Sequence, residues 1–384
     1  MSIAIPGLSH VATWRDRTDA DPRHDERTAA ILGISLGVCF TVCFATGIYS
    51  HLAQHPTSWF QLPASPTGLY RLTQGIHVAT GIAAVPLLLA KLWAVFPRLL
   101  AWPPFVNVAH AIERLALLPL VGGALFMLFS GVANIDLWYP FPFFFPTAHY
   151  WMAWITIGAL VVHIGAKLTT TRQALKRVTS AERAVDPDAR RRFLTSVAAG
   201  AGLLTVATVG QTIAPLQRLA LLAPRHPDTG TQGFPVNKTA AEAGIATAAL
   251  DPAYRLQISG LVATPLTLSL DDVRAIGLHE ATLPIACVEG WSVSKRWRGV
   301  RLVDLLREAG AAPGTEVFVT GLEKGGLYGQ SILNPDQARA DNTLLALEVD
   351  GEPLALDHGF PLRLIAPDRP GVMQTKWITG LEVR

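Results

Sequence analysis

The sequence predicts an all-α membrane region of five transmembrane helices, followed by a β-rich α+β domain. Half of the 384 residues are hydrophobic and only 16% are charged, which is below the charge content of soluble proteins. Five apolar segments precede residue 216, and each is close to the ~20 residues that a bilayer requires. From Phe234 onward, short β-like runs alternate with turn residues. The length suits two or three domains.

Residues 1–27 are polar, and their arginines are balanced by acidic residues. They lack the charged, apolar and cleavage regions of a signal peptide, so we interpret them as a cytoplasmic tail. The first four apolar segments form a membrane domain over residues 28–170, and residues 171–192 form a basic cytoplasmic loop. The predicted membrane helices are Thr28–Ser50, Leu72–Phe96, Ala111–Asn134, Ala148–Leu168 and Phe193–Pro215.

Lysine and arginine alternate between the connections of these segments. The tail carries four arginines, whereas residues 135–147, after the third segment, carry no lysine or arginine. Residues 171–192 are again strongly basic. Because basic residues stay on the cytoplasmic side, the N-terminus is predicted inside and everything after the fifth segment outside. The expected location is the cytoplasmic membrane, reached through the general insertion machinery, with the lipid bilayer as partner.

The fifth segment, residues 193–215, is less apolar than the others and follows a triplet of arginines, Arg190-Arg191-Arg192-Phe193-Leu194. The triplet resembles an internal twin-arginine export signal, which is read by machinery that carries folded domains. The alternative is an ordinary membrane helix that stops at basic residues. Residues 216–233 are predicted to be an irregular tether.

The last 151 residues, 234–384, carry the β-like pattern. Asp350-Gly351 predicts a hairpin. Short helices are expected at Ser269–Ile276, with Ser269 as N-cap, and at Leu302–Ala309. This α+β domain is large enough to bury its own core. The predicted strands are Tyr254–Leu261, Thr282–Cys287, Glu316–Thr320, Leu344–Val349, Pro361–Ile365 and Trp377–Val383.

Four histidines lie within or at the edges of the apolar segments, where an unpaired imidazole is costly and a functional role is the default hypothesis. His149 and His163 share one helix face, about 21 Å apart along the axis. Sorting by depth pairs His77 with His149 on the outer side and His110 with His163 on the inner side. Each pair suits a bis-histidine haem b, so one or two haems are expected. His51 is a spare candidate for the outer haem.

Cys287 ends an apolar run and precedes a Glu-Gly-Trp-Ser turn that directs it away from the strand. It is the candidate catalytic residue. The alternative is a buried cysteine that packs as a small hydrophobic residue. Cys39 and Cys43 lie in the first apolar segment and are interpreted as packing residues. With a single cysteine, the C-terminal domain has no disulfide framework.

The Cys287 motif, together with Trp297-Arg298-Gly299-Val300, resembles the molybdopterin-binding domain of the sulfite oxidase family. The similarity covers Phe234 to Arg384, and it is greater to the periplasmic methionine sulfoxide reductase branch of this family than to sulfite oxidase itself. The resemblance implies that Cys287 is the protein thiolate ligand of molybdenum in a Mo-molybdopterin cofactor. The oxo chemistry would then belong to the metal and pterin.

Further motifs support this resemblance: His358-Gly359-Phe360-Pro361-Leu362-Arg363, Gln374-Thr375-Lys376-Trp377, and an early asparagine. Arg363 and Lys376 are suited to a phosphate, the first as a planar fork and the second as a point charge. The resemblance implies that these residues contact the pterin and its phosphate: Asn237, His358, Arg363, Gln374, Thr375 and Lys376.

One departure concerns the substrate. Sulfite oxidases follow their cysteine with an Ala-Gly-Asn-Arg-Arg type of run, whereas this chain has Val-Glu-Gly-Trp-Ser. Sulfite is therefore less favoured, with Arg296, Arg298 or Arg369 left as alternative anion-binding residues.

The histidine pairs are similar to those of the four-helix cytochrome b subunits of formate dehydrogenases and of the cytochrome b561 group. In those proteins the first segment supplies an inner ligand, but here the matching position near Gly33 is occupied by small apolar residues. Either His110 substitutes for that ligand or the inner haem is missing.

Together these patterns predict a membrane-bound molybdenum oxidoreductase that passes electrons from quinol through haem b to the molybdopterin site. There it would reduce a small S- or N-oxide by oxo transfer. A cofactor loaded in the cytoplasm requires folded export, which favours the twin-arginine interpretation. The alternatives are the reverse electron flow, with a substrate such as sulfite oxidised, and a non-catalytic, haem-anchored binding or sensing module. No basic stripe with interleaved aromatic residues occurs, so nucleic acid is not an expected partner.

Overall fold

A computed structural model describes residues 21, 23–57, 59–99, 107–176, 187–326 and 328–384. Most of the predicted tail and residues 177–186 of the predicted basic loop lie outside the described residues. The chain forms two compact units: residues Met1–Ala45 with His77–Thr208, and residues Thr46–Ile76 with Val209–Arg384. This grouping differs from the predicted division, which kept Thr46–Ile76 within the membrane domain.

In the described part of the chain, five helices are long and apolar enough to cross a membrane, judged by length and composition. The five predicted apolar helices are therefore confirmed. The first four extend beyond their predicted segments at both ends, whereas the fifth begins and ends six residues earlier than predicted. The helices are α1 Glu26–Gln54, α2 Leu69–Leu99, α3 Val108–Ile135, α4 Phe145–Lys176 and α5 Pro187–Val209.

Polar contacts and small residues organise the first unit. Arg190 at the start of α5 pairs with Asp25, just before α1, at 2.8 Å. Helices α3 and α4 pack closely where α3 has glycine: a Cβ on Gly123 would overlap Thr156 Oγ1. Small residues permit such close approach between membrane helices. Gly123 therefore allows α3 to lie directly against Thr156 of α4.

Within the described residues, the second unit contains two five-stranded sheets. One has the order β2-β1-β10-β5-β6, and the other the order β3-β4-β7-β8, with β9 also paired to β7. The strands are β1 Leu256–Gly260, β2 Leu266–Leu268, β3 His279–Ala286, β4 Ser292–Arg301, β5 Val317–Gly321, β6 Gln330–Leu333, β7 Leu344–Val349, β8 Glu352–Pro353, β9 Arg363–Ile365 and β10 Ile378–Val383. The short helices are α6 Ala246–Ala249, α7 Leu270–Ala275, α8 Leu302–Glu308 and α9 Pro335–Arg339.

The six predicted strands are all present, β7 at its predicted bounds and the others with shifted ends, whereas β2, β4 and β6 were not predicted. The longest described strand, β4, carries charged Lys295 and Arg298 on either side of buried Trp297. These charged residues therefore interrupt the apolar pattern that would have predicted the strand from the sequence. The predicted hairpin is confirmed, because β7 and β8 pair across Asp350 and Gly351, which both have positive φ.

The two largest hydrophobic cores of the second unit support its sheets. The larger one packs strands β1, β5, β9 and β10 against α8 and includes Leu256, Leu305 and Leu364. The other is centred on Trp297 and contains Cys287 and Trp291 as buried members. The cysteine of the candidate site therefore lies in a packed core.

The predicted tether contains local structure, with 3-10 turns at Ala214–Leu219 and Thr231–Gly233.

The N-terminus of α7 provides a test of local stability. Ser269 and Asp272 form a capping box in which each side chain accepts the other's backbone N–H. We expect Ser269→Ala to destabilise α7 by about 1 kcal/mol, seen as faster amide hydrogen exchange within α7. Asp271→Ala is the control, because the Asp271 carboxylate is 93% exposed and pairs with Arg274. Equal exchange in the two variants would contradict a role for the cap.

Candidate functional site

Cys287 lies at the tip of the β3–β4 hairpin. Ala286 pairs with Ser292, so residues 287–291 form the turn. The turn closes on itself: the Cys287 N–H donates to the Trp291 carbonyl at 3.0 Å and the Gly290 N–H to the Cys287 carbonyl at 3.2 Å. Gly290 has φ +85°, which favours glycine. The turn thus fixes the backbone on both sides of the thiol, which is 5% exposed.

The Cys287 sulfur is held by polar side chains. Asn237 Nδ2 donates to Cys287 Sγ at 3.1 Å and to Glu289 Oε1 at 3.0 Å. Arg225 Nη1 donates to Asn237 Oδ1 at 2.9 Å, and Arg225 Nε lies 3.5 Å from Glu289 Oε2. Trp291 Nε1 donates to the same Glu289 oxygen at 3.2 Å. The Asn237 amide is therefore fixed from both sides and directed at the sulfur.

Burial raises the pKa of the Cys287 thiol well above its ordinary value, and the nearby Glu289 carboxylate raises it further. Burial also raises the pKa of Glu289, which the Arg225 guanidinium opposes. A thiol in this setting ionises when a cation coordinates the sulfur, since metal binding displaces the proton. The site is therefore suited to a metal-bound thiolate rather than to a free nucleophile.

A cleft over this turn gathers five of the seven residues proposed as pterin or molybdenum contacts: Asn237, Cys287, His358, Arg363 and Lys376. They come from positions far apart in the sequence, including a loop before α6, the β3–β4 tip and strand β9. Aromatic side chains complete the walls, among them Trp291 and Tyr328. The structure therefore brings the predicted thiol and the predicted cations into one cleft.

The two cations of the cleft are buried, each 3% exposed. Lys376 Nζ donates to the backbone carbonyls of Lys238 and Asp357, both at 2.8 Å. Burial, followed by repulsion from Arg363, lowers the pKa of Lys376 to about 7. Burial lowers the pKa of Arg363 to about 10. Two buried cations held by carbonyl oxygens are costly unless an anion joins them.

An orphaned atom supports that conclusion. Arg363 Nη1 donates to the His358 carbonyl at 3.0 Å, whereas its buried Nε has no hydrogen-bond partner among the described residues. A phosphate would accept from Arg363 and Lys376 together. The residues present therefore fit the phosphate end of a pterin cofactor.

His358 is a flat, neutral element of the cleft. Its ring stacks on Phe234 with centroids 3.6 Å apart and an interplanar angle of 13°, and its Nε2 lies 2.6 Å from the Thr231 carbonyl. Burial, followed by repulsion from Arg363, lowers the pKa of His358 to about 3. The imidazole is thus uncharged at neutral pH, with Nε2 as the donor to the carbonyl.

Gln374 and Thr375 take other partners. The Gln374 side chain exchanges two hydrogen bonds of 2.9 Å with the backbone of Ala366, and Thr375 Oγ1 lies 2.6 Å from Ser331 Oγ. Both side chains are fully buried and neither lines the cleft. These hydrogen bonds fix the chain that leads to Lys376, and the pterin contact of Gln374 and Thr375 stays a prediction.

Sequence reasoning missed two residues of the site. Arg225 lies in the predicted tether, where a single arginine gives no signal. Tyr328 lies in a glycine-rich run, and its ring centroid is 5.0 Å from Lys376 Nζ. Two alternative anion-binding arginines are engaged elsewhere: Arg298 pairs with Glu348 at 3.0 Å, and buried Arg369 donates to the Ile332 carbonyl and Gln337 Oε1, both at 2.7 Å.

The outer pair of membrane histidines comes together in the first unit. The rings of His77 and His149 have centroids 6.3 Å apart at an interplanar angle of 65°. His77 Nδ1 lies 2.9 Å from the Cys43 carbonyl, and His149 Nδ1 lies 2.8 Å from Ser130 Oγ. Two metal–nitrogen bonds of about 2 Å each, added to the radii of two imidazole rings, give a similar centroid separation. The pair is therefore spaced for one metal ion between the rings.

The hydrogen bonds of the pair also suit metal ligation. Ser130 Oγ donates to the Phe126 carbonyl at 2.7 Å, so its lone pair accepts from His149. With both Nδ1 atoms donating to oxygens, each neutral ring presents Nε2 as its basic nitrogen. Metal-binding histidines are oriented in this way by a carbonyl or another acceptor.

The other candidate histidines are placed differently. His110 lies in the first turn of α3, where its backbone N–H donates to Asn107 Oδ1 at 2.8 Å. His163 lies within α4, and both side chains are half-buried. The inner haem pair therefore stays a prediction. His51 lies in the last turns of α1 and stacks on His55 with centroids 4.3 Å apart.

Among the described residues, no group of three or more histidine, cysteine and acidic side chains could hold a bare metal ion. The candidate donor sets described above are the Cys287 thiol and the His77–His149 imidazole pair. Such sets suit metals that arrive with ligands of their own, namely molybdenum held by pterin sulfurs and iron held by a porphyrin. The haem at the imidazole pair stays a prediction.

Comparison with known proteins agrees with this assignment for the C-terminal part. Residues 243–384 match the family model described as "Oxidoreductase molybdopterin binding domain". "Uncharacterized oxidoreductase YuiH" of Bacillus subtilis is 35% identical over 130 residues, covering 34% of this chain and 64% of that protein. Mitochondrial sulfite oxidase of Drosophila melanogaster is 35% identical over 159 residues, covering 34% of this chain and 27% of that protein.

A third relative, from Azospira oryzae, is named "Putative protein-methionine-sulfoxide reductase subunit YedZ1". It is 33% identical over 166 residues, covering 42% of this chain and 61% of that protein. The chain thus spans less than two thirds of the length of each of these relatives. Its C-terminal part is a molybdopterin-binding oxidoreductase domain of the type found in sulfite oxidases.

The lowered pKa of Lys376 gives a pH prediction for the cofactor-free protein. Anion binding needs Lys376 protonated, and in the free site this charge is lost as pH rises through about 7. We expect sulfate, whose own charge is constant in this range, to bind up to about tenfold more weakly per pH unit above 7, measured by calorimetry from pH 6 to pH 8.5. Lys376→Gln should weaken binding and remove the pH dependence.

Lys324→Gln is the matched control, because Lys324 is exposed on the neighbouring loop. It should retain the pH dependence of the parent protein. A sulfate affinity that does not change with pH in the parent protein would contradict the assignment of Lys376.

Proposed function

We propose that this chain is a membrane-bound molybdenum oxidoreductase that uses quinone-pool electrons to reduce a small S- or N-oxide. The observation that carries the proposal is the cleft in which Asn237 is directed at the Cys287 sulfur and two buried cations are held by backbone carbonyl oxygens. The names of the relatives, sulfite oxidase and a methionine sulfoxide reductase subunit, support oxo transfer at sulfur, and the second of them supports the direction of reduction.

The residues of the cleft would divide the work of holding the cofactor. Cys287 would bind molybdenum through Sγ, while the Asn237 amide keeps that sulfur oriented. Arg363 and Lys376 would neutralise the phosphate of the pterin, and neutral His358, stacked on Phe234, would pack against its ring system. When bound, the cofactor supplies two-electron oxo transfer, which protein side chains cannot perform.

A neutral oxide is favoured as substrate over sulfite. The turn that follows Cys287 carries one ionisable side chain, Glu289, and no cation. Arg298 and Arg369 are engaged by other partners. Trp291 and Tyr328 instead offer aromatic walls in the cleft. The overall reaction consumes two electrons and two protons, breaks the S–O or N–O bond, and releases water with the reduced substrate.

The proposed electron route begins with quinol in the membrane and passes through haem b to molybdenum. The spacing of His77 and His149 and their Nδ1 hydrogen bonds support one haem at this pair. The distribution of basic residues supports a cytoplasmic N-terminus and an outer C-terminal domain. Arg190-Arg191 supports export of a folded domain by the twin-arginine machinery.

Two other functions remain to be separated from this one. The sulfite oxidases among the relatives favour the reverse flow, in which a substrate such as sulfite is oxidised and quinone is reduced. A haem-anchored binding module would hold no molybdenum. Metal analysis, followed by methionine sulfoxide reduction with reduced viologen and sulfite oxidation with ferricyanide, separates the three. Sulfoxide reduction without sulfite oxidation supports the proposal, and the opposite pattern overturns the direction.

The role of Cys287 is tested by Cys287→Ser. Because serine is a poor ligand for a soft metal site, we expect loss of molybdenum-dependent turnover by at least about a hundredfold. The haem spectrum should be unchanged. Activity, metal content and the visible spectrum are measured on the purified full chain. Cys39→Ser, in the half-buried part of α1, is the control and should retain all three properties.

The role of the outer histidines is tested by His149→Ala, which should remove the absorption bands of the outer haem and leave molybdenum bound. Ser130→Ala should keep the haem but move its midpoint potential upward, because His149 Nδ1 loses the acceptor that increases its electron donation to iron. His55→Ala is the control. Unchanged spectra in His149→Ala would exclude this pair as the haem site.

A further inference from the structure

The segment Thr46–Ile76, which joins α1 to α2, belongs to the same compact unit as the molybdopterin-binding domain. Its residues Ala53, Leu62 and Tyr70 form a buried cluster with Ala286, the residue directly before Cys287. Leu62 also accepts a hydrogen bond from Asn334 Nδ2 at 2.8 Å. The 46–76 segment is therefore packed into this unit next to the cysteine turn.

Asp368 anchors the 46–76 segment. Its carboxylate accepts from the Tyr49 hydroxyl at 3.0 Å and from the Tyr70 backbone N–H, and the residue is 2% exposed. Burial raises the pKa of this carboxyl group, so its charge depends on such donors. Removing a donor from a buried carboxylate is strongly destabilising, because the charge loses its compensation.

The anchor continues into the wall of the cleft. Asp368 has φ +52°, a left-handed conformation that aspartate tolerates better than most residues. The following residues turn back towards the cysteine: Pro370 forms a parallel bridge with Ala286, and Gly371 lines the cleft. The position of the 46–76 segment and the position of this wall are therefore linked through one residue.

Gln74, near the end of the 46–76 segment, contacts the cysteine turn itself. Its Nε2 donates to the Val288 carbonyl at 3.2 Å, and the residue is 6% exposed. Val288 directly follows Cys287, within the turn that is closed by the Cys287–Trp291 hydrogen bond. A buried amide on this carbonyl restrains rotation of the peptide that follows the thiol.

We propose that Gln74 is a positioning residue for Cys287, and that Asp368 holds Gln74 in place by anchoring the 46–76 segment. The hydrogen bond from the Gln74 amide to the Val288 carbonyl restricts the backbone next to Cys287 and so restricts the direction of its sulfur. Loss of this contact changes the angle between the thiolate and the metal without removing a ligand. This inference rests on the molybdenum enzyme proposed above.

The test uses the purified, molybdenum-loaded full chain with Gln74→Leu, which keeps the volume but removes the donor. We expect molybdenum content to stay at the parent level, the g-values of the Mo(V) EPR signal to shift, and kcat to fall about 10–100-fold with little change in KM. Gln54→Leu is the control, because Gln54 Nε2 donates to Ser50 on the same helix. Its EPR signal should match that of the parent chain.

A second variant decides the case if Gln74→Leu fails to fold or to load metal. Tyr49→Phe removes the hydroxyl that donates to Asp368 and keeps the ring. It should shift the same EPR signal and expose the 46–76 segment to faster proteolysis, whereas Tyr139→Phe, in the α3–α4 connection, should do neither. A parent-like EPR signal and kcat in Gln74→Leu, or in Tyr49→Phe if Gln74→Leu does not load, overturns the inference. Absence of molybdenum from the parent chain instead overturns the proposed function.

Discussion

The cleft depends on ionisable groups that are buried without full compensation from the chain. Burial raises the pKa of Cys287 and lowers those of Arg363 and Lys376, so each of the three is shifted towards its neutral form. Desolvation of a charge costs free energy, and an opposite charge brought by a ligand recovers part of it. A metal cation at the sulfur and a phosphate at the two cations would compensate all three together. The cleft is thus organised for a ligand that carries both charges.

The chain holds the two buried cations with backbone carbonyl oxygens rather than with carboxylates. Lys376 is held by two carbonyl oxygens and Arg363 by one, which fixes their positions and leaves their positive charge to the ligand. Glu289 is the acidic group nearest to the sulfur, and its oxygens are taken up by Asn237, Trp291 and Arg225. The carboxylate therefore orients Asn237 instead of pairing with a cation of the cleft.

Local patterns were sufficient to predict much of the molecule. The five apolar helices are predicted from length and composition alone, and Cys287 is proposed because it lies between a strand and a turn. Arg363 and Lys376 are proposed because the resemblance fixes their spacing, and all three residues line the cleft. Arg225 and Tyr328 were missed because each reaches the site through a tertiary contact, and no motif in the neighbouring sequence indicates that contact. Gln374 and Thr375 show the converse, since their side chains are buried in the core although they adjoin Lys376 in the sequence.

The same reasoning explains why the 46–76 segment could not be assigned from the sequence. Its ends are apolar helix and its middle is an ordinary connection with proline, so composition predicts a loop between membrane helices. Its place in the second unit depends on a few specific contacts, above all those of Asp368 with Tyr49 and Tyr70. Such contacts leave no periodic pattern in the sequence, because each depends on a single pair of side chains. The 46–76 segment, which the sequence assigns to the membrane domain, therefore belongs to the second unit because buried Asp368 takes its hydrogen-bond donors from it.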